Sequence, residues 1–373
     1  MALVASVIGT RPEAIKMAPV IRRLERSAGI RSVIIATGQH GSLFDQAMGG
    51  FALHPDRHLG PLPASHDPEA QCRMMTDRLR PLLARLAPDL VLVQGDTSSA
   101  LGGARAAASL SIPVGHVEAG LRSHDLARPF PEEGFRIEID RLSTLLFAPS
   151  ATALDNIAAD PAIAGTAWLT GNSGIDALRM MRAAVPCRPS FPRDGCLRIL
   201  ATMHRRETIG PALRGLCGAL RIIASEGRAE IRLPVHPNPD VGAIVRAELE
   251  GVAGVCLVAP LPYPQMLAHM AEADLIVSDS GGIQEEASAL GTPLLILRDV
   301  TERPEAVACG NALLVGTSPE TALATMRTIL DNQSLRTHMS RIRFPYGRGR
   351  AAEKIVTVIE NFCGAQNVTR QRA

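Results

Sequence analysis

The stretch VSDSGGIQEEA (277–287) ends an apolar run in Ser280-Gly281-Gly282 and opens a helix-forming segment. Paired glycines let backbone N–H groups come close to a phosphate, and a helix N-terminus favours its charge. Glu286, one turn further on, can reach sugar hydroxyls. LATMHRRET (200–208) places His204, Arg205 and Arg206 beyond another apolar run. A histidine followed by two arginines suits a phosphate or an anionic leaving group; a basic surface turn is the competing reading. His236, in LPVHPNP (233–239), lies in a loop stiffened by Pro237 and Pro239, where structural use competes with binding. RDVTERPEA (298–306) adds Arg303 before Pro304.

A second set carries carboxylates. GTRPEAIK (9–16) follows an apolar run but is neither G-x-G-x-x-G nor a Walker loop. Pro12 suits a first helical turn, which puts Arg11 beside free backbone N–H groups, a setting for an anion or simply a surface arginine. Lys16 is one of two lysines in the chain, Lys354 being the other. Asp96 follows LVLVQ and is either a reacting carboxylate or a helix cap. Glu118 ends PVGHV; a buried carboxylate needs a partner, and Arg122 is a candidate. Glu132 and Glu133 follow Pro131, where the helix dipole alone accounts for acidic residues. Yet Asp96, Glu118 and Glu132 all map to the same rim. Crowded carboxylates raise one another's pKa, which is how acid and base pairs arise. His54, His58 and His66 have helical-looking spacing, but Pro55, Pro61 and Pro63 break the segment and argue against a metal site.

These residues need strands that end beneath them. Strands are expected at Leu3–Ile8, Ser32–Thr37, Leu90–Gln94, Val114–Glu118, Leu145–Ala148, Leu197–Thr202, Glu230–Val235, Val255–Val258, Leu275–Ser278, Pro293–Ile296 and Ala312–Val315, with helices such as Glu69–Leu86, Ser99–Leu110, Ala212–Glu226 and Glu320–Asp331 between them. Regular β-α alternation predicts parallel sheets covered on both faces. CRPSFPRDG (187–195) is rich in Pro and polar residues, and a fresh strand follows it. It reads as a linker between two doubly wound domains, whose ligands bind beyond the carboxyl ends of the strands.

Composition narrows the class. The 373 residues are 46% hydrophobic and 20% charged, with a formal net charge of +2. That balance gives no argument for a nucleic-acid or membrane partner. Only 3% aromatic residues disfavours stacking on single-stranded nucleic acid. Seven scattered cysteines without C-x-x-C, an N-terminal apolar segment interrupted by Arg11, Glu13 and Lys16, and no long uncharged run predict a cytoplasmic protein with reduced thiols.

In order along the chain, GTRPEAIKMAPV, QGDT, PVGHVEAGLRS, PFPEE, HRRE, PVHPNP, DSGGIQEEA and RDVTERPEA resemble the non-hydrolysing UDP-N-acetylglucosamine 2-epimerases, and PYGRGRAAEKI (345–355) is similar too. The resemblance covers effectively the whole chain. It implies an α/β fold of the GT-B type: two Rossmann-like doubly wound domains facing a central cleft. Residues 1–172 form the first, 173–349 the UDP-binding second, and a C-terminal helix of about 350–373 packs back on the first. It implies interconversion of UDP-N-acetylglucosamine and UDP-N-acetylmannosamine through a glycal, in a homodimer, with no cofactor or metal.

By the same resemblance Asp96, Glu118 and Glu132 match acid/base carboxylates, and Lys16 lies near them. Arg11 and His204 match groups at the diphosphate; Ser280, Gly281 and Gly282 match the phosphate turn; Glu286 matches the ribose contact. Arg136, His236 and Arg303 join the substrate-binding set. The sequence departs from the family at Phe135, where Asn is common, and at Gly41 and Ser42. The latter region contributes to a second, activating nucleotide-sugar site, for which Gln46 and Arg73 remain candidates. Another UDP-2-acetamido sugar, a hydrolysing epimerase and a GT-B glycosyltransferase are the alternative readings.

Overall fold

The computed structural model describes residues 1–39, 41–63, 65, 67–184, 195–205 and 209–372. His66, Arg206 and residues 187–194 of the expected linker lie outside the described residues. The chain divides into two compact units, Met1–Met180 with Tyr346–Ala373, and Met181–Pro345.

The first unit holds β1 (Ala2–Ile8), β2 (Ile30–Ala36), β3 (Arg57–His58), β4 (Leu90–Gln94), β5 (Val114–Val117), β6 (Leu145–Ala148) and β7 (Thr166–Leu169). They form one sheet in the order β3-β2-β1-β4-β5-β6-β7, and every pair is parallel. A parallel sheet hidden on both faces needs near-continuous apolar strands. The central β1 and β4, with sequences ALVASVI and LVLVQ, supply them. Five helices follow the first strands: α1 (Arg11–Leu24), α2 (Ser42–Gly50), α3 (Pro68–Leu86), α4 (Ser98–Ser109) and α5 (Glu132–Leu142). α3 packs on α4, and α4 on α5. Burying each large aliphatic side chain of this core contributes roughly 1.5–3 kcal/mol. The last helix, Ala351–Arg372, packs on α1. Its first turn is held by Asp176, whose carboxylate accepts from the N–H groups of Ala351 and Ala352 at 3.1 Å.

The second unit holds β8 (Leu197–Thr202), β9 (Ala229–Pro234), β10 (Val255–Val258), β11 (Leu275–Ser278), β12 (Leu294–Ile296) and β13 (Ala312–Leu314), all parallel, in the order β10-β9-β8-β11-β12-β13. Ile199, Leu220, Ile223, Ile231 and Leu295 lie in its core. Both units are Rossmann-like and doubly wound, which places the chain in the GT-B class.

The expected strands are present within one or two residues at each end. β3 and β7 were not anticipated. β3 is two exposed residues at a sheet edge, and β7 is a partly exposed edge strand, so neither has the apolar run that marks a buried strand. The order of strands reverses at β1/β4 and at β8/β11, the positions where open α/β sheets bind ligands. Among the described residues no helix is long and apolar enough to cross a membrane, and no group of three or more His, Cys, Asp or Glu is placed to hold a metal.

Candidate active site

In the first unit the residues after β1, β4 and β5 are tied together by buried polar contacts. Thr10 caps α1 and forms a reciprocal capping box with Glu13, which fixes the helix start at Arg11. Glu13 is fully buried. Its carboxylate accepts from Gly9 N–H (2.8 Å), Thr10 N–H (2.6 Å) and the Thr97 hydroxyl (2.6 Å), joining the turn after β1 to the one after β4. Burial pushes the Glu13 carboxyl above its ordinary range against the pull of those bonds. Gly9 is required by close approach, because a Cβ there would lie 2.0 Å from Thr37 Oγ1 and 2.1 Å from Ser99 Oγ.

One turn into α1, Lys16 reaches the Glu118 carboxylate in a buried ion pair. Glu118 Oε1 also accepts from Asn172 Nδ2 at 2.9 Å, and Oε2 from Gln94 Nε2 at 2.5 Å. Its backbone has φ +74, a left-handed conformation that costs a non-glycine residue on the order of 1–3 kcal/mol and persists only where the surroundings impose it. β5 stops at Val117, one residue short of the expected strand, because Glu118 turns there.

Two sequence alternatives are corrected. Asp96 does not cap α4; Thr97 does, its hydroxyl accepting from Ala100 N–H at 3.0 Å. Arg122 is not the partner of Glu118; it pairs with Asp140 at 2.7 Å. Asp96 is instead held by Arg136, at 2.6 Å from Nη2 and 3.2 Å from Nε. Arg136 is 2% exposed and binds Glu133 through Nη1 at 2.5 Å. The two adjacent glutamates therefore part. Glu133 is buried and accepts from Ser123 N–H and His124 N–H at 3.0 Å, while half-buried Glu132 opens α5.

In the second unit, Asp279 is fully buried just beyond β11. One carboxylate oxygen accepts from His204 N–H and Arg205 N–H at 2.8 Å, and the other lies 3.0 Å from His204 Nδ1. The His204 ring stacks on His236, with centroids 5.2 Å apart, so the loops after β8 and β9 meet here. Ser280 precedes the helix Gly281–Leu290. A Cβ on Gly281 would lie 2.7 Å from Arg303 Nη1, whereas one on Gly282 meets nothing within 4 Å. Arg303 is set there by ion pairs to Glu302 and, at 2.5 Å, to Glu285. Glu286 accepts from the Tyr263 hydroxyl at 2.7 Å. A cavity of 330 Å³ borders His236, Asn238, Arg246 and Pro260 in the same unit.

A family model described as UDP-N-acetylglucosamine 2-epimerase matches residues 22–360. The chain belongs to the UDP-N-acetylglucosamine 2-epimerase family. The Escherichia coli K12 protein named UDP-N-acetylglucosamine 2-epimerase is 39% identical over 370 residues, which cover 96% of this chain and 98% of that one. The Neisseria meningitidis UDP-GlcNAc 2-epimerase, solved bound to UDP-GlcNAc, gives a TM-score of 0.90 at 35% identity over 96% of this chain and 100% of its own. A Staphylococcus aureus MnaA–UDP structure gives 0.91 at 32% identity over 98% and 97%.

Within this epimerase-family chain, Lys16 and Glu118 touch, Asp96 reaches Arg136, and His204 meets His236. Arg11 is the first residue of α1. Gln46 on α2 is exposed, as is Arg73 on α3, which lies 3.7 Å from Asp67. Asp279 was missed, though it stands inside the DSGG motif. The signal available was a carboxylate ending an apolar run, the same one that marks Glu118.

Asp279 gives the second unit an acid-sensitive anchor. Burial raises its pKa, but the His204 ring and the hydrogen bonds from residues 204 and 205 outweigh that and bring it to about 2, below the ordinary 3.8. A depressed carboxylate stabilises the fold above its unfolded pKa and loses that contribution as pH falls through the folded value, here about 2 kcal/mol. Asp279→Asn is therefore expected to melt lower than wild type at neutral pH. Its melting temperature should change less between about pH 4 and 2, which thermal unfolding at each pH checks.

Proposed function

We propose that the chain interconverts UDP-N-acetylglucosamine and UDP-N-acetylmannosamine without net hydrolysis. A carboxylate takes the C2 proton, the C1–O bond breaks with its electron pair leaving on UDP, and a 2-acetamidoglucal remains. UDP then re-adds to C1 as a proton returns to C2 from the other face. Asp96, Glu118 and Glu132 are the acid/base groups, with Lys16 setting the charge beside Glu118. Arg11 and His204 stabilise the departing diphosphate, helped by the turn Ser280-Gly281-Gly282. Glu286 contacts ribose, and His236 lines the same loops. Arg136 and Arg303 act through the carboxylates they hold.

The observation that carries this reading is Glu118, buried on Lys16, Gln94 and Asn172 on the same rim as Asp96, in a chain of this family. Incubation with UDP-N-acetylglucosamine in D₂O should give both epimers, still UDP-linked, with deuterium at C2. Absence of both exchange and second epimer rejects the reading. Phe135 lies in the buried core cluster of the first unit that also holds Val91, Leu101 and Ile139, which argues against its selecting the sugar. The same reading makes the chain a cytoplasmic homodimer, which light scattering checks for the assembly.

Gly282→Ala is expected to leave the melting temperature near wild type, since the new methyl group meets no protein atom. It should weaken UDP binding about tenfold, or about 1.4 kcal/mol, by calorimetry, because the methyl stands where a phosphate would approach. Lys16→Arg should cut kcat about tenfold or more, since a planar fork cannot replace a compact ammonium in that enclosed pair. Lys354→Arg serves as the control: that side chain is exposed and, among the described residues, its ammonium donates only to Leu169 O, at 3.4 Å. Equal kcat values for the two variants would refute the special place of Lys16.

A further inference from the structure

Glu133, Arg136 and Asp140 stand three and four residues apart along α5 and so share one face. Glu133 holds the backbone at 123–124 and Arg136 holds Asp96. Asp140 is fully buried and does not belong to the set of carboxylates assigned to the chemistry. Its Oδ1 lies 2.6 Å from His116 Nδ1; its Oδ2 accepts from Gly120 N–H at 3.1 Å and is ion-paired with Arg122 Nη1 at 2.7 Å. The opposite nitrogen of His116, Nε2, lies 2.9 Å from Gly95 O.

These contacts reach two of the three proposed acid/base groups, Glu118 and Asp96. His116 precedes Glu118 by two residues on β5, and Gly120 and Arg122 follow it, so one carboxylate ties the chain on either side of Glu118. A residue held at φ +74 needs such over-determination. Through Gly95 O, the same ring fixes the residue just before Asp96. We propose that Asp140 and His116 are positioning residues that set Glu118 and Asp96 in their working places; this rests on the function proposed above. The Gln94, Asn172 and Lys16 contacts then orient a carboxylate whose backbone is already placed.

Asp140→Asn keeps the shape while weakening the grip. It should lower kcat about 10–100-fold with KM within about threefold, as misplacements near 1 Å do. UDP affinity should remain near the wild-type value, because His204 and the turn at 280–282 lie in the second unit and Arg11, on α1, is outside the contacts made by Asp140 and His116. The decisive measurement repeats the change on Glu118→Asp, whose carboxylate is already displaced. There Asp140→Asn should cost less than about threefold further, as coupled residues behave. A kcat within about threefold of wild type for the single variant, or the same fold-loss on both backgrounds, overturns the proposal. Should Asp140→Asn not fold, His116→Gln, which has one nitrogen where the ring presents one on each side, is judged by the same criteria. Failure of the proposed function is separate: wild type itself would then exchange no deuterium at C2.

Discussion

Glu118→Gln should lower kcat by about 10²–10⁴-fold, the span ordinarily lost with a general acid or base. Deuterium entry at C2 in D₂O should fall in parallel, with UDP affinity little changed. Glutamine can still accept one bond from Lys16, Gln94 or Asn172, but it cannot take a proton at neutral pH. It also leaves the Lys16 ammonium buried without its counter-charge. Removing one member of a buried pair costs about 3–5 kcal/mol, so the variant should also melt lower. Lower stability with wild-type exchange would mean that the Lys16–Glu118 pair is only structural. Lost exchange in a variant still folded under the assay conditions is the result expected of a reacting carboxylate.

Arg136→Met should produce a large loss of stability in the first unit. The guanidinium binds Glu133 and Asp96 together at 2% exposure, and methionine matches its length without its charge. Glu133 would stay buried on two backbone N–H groups with no cation, at a cost of about 3–5 kcal/mol. For a unit of this size that lowers the melting temperature by about 10 °C. Asp96 loses its anchor at the same time, so turnover should fall even below the melting range. Arg136→Lys restores the charge without the fork and should recover part of the stability and less of the turnover. Melting within about 2 °C of wild type for Arg136→Met would contradict the account.

The alternation of elements was legible because short apolar runs alternate with amphipathic stretches, and four of those runs close directly on Gly9, Gly95, Glu118 or Asp279. Glu118 stands out on that ground alone. Its partners do not, because Gln94 and Asn172 reach it from 24 and 54 residues away, and nothing local to either announces the contact. Between Glu132 and Glu133 the sequence offers no choice; the phase of α5 decides, turning Glu133 inward onto Arg136. Arg122 lies four residues from Glu118, yet Asp140 takes it. That exchange depends on which face of α5 meets β5, a tertiary fact. Asp279 went unassigned, because its bonds are to the backbone of residues 204 and 205 on the neighbouring strand's loop, some 75 residues away in sequence. Spacing shows which side chains are near a strand end, and packing decides which of them touch.

The path of the chain through the first unit has a consequence for how the protein is made. Asn172 N–H donates to Tyr346 O at 2.8 Å and Arg179 Nη1 to Arg348 O at 2.6 Å, so the chain leaves this unit and re-enters it at one place. Everything from Met181 to Pro345 is topologically an insert between those two points. During synthesis the inserted unit is complete before the segment that finishes its host has emerged, and domains tend to fold as they appear. The host must wait with the surface of α1 uncovered until Ala351–Arg372 arrives and Asp176 caps it. The last helix is thus a latch, and a nascent chain stopped before Tyr346 would carry a finished second unit beside an unfinished first.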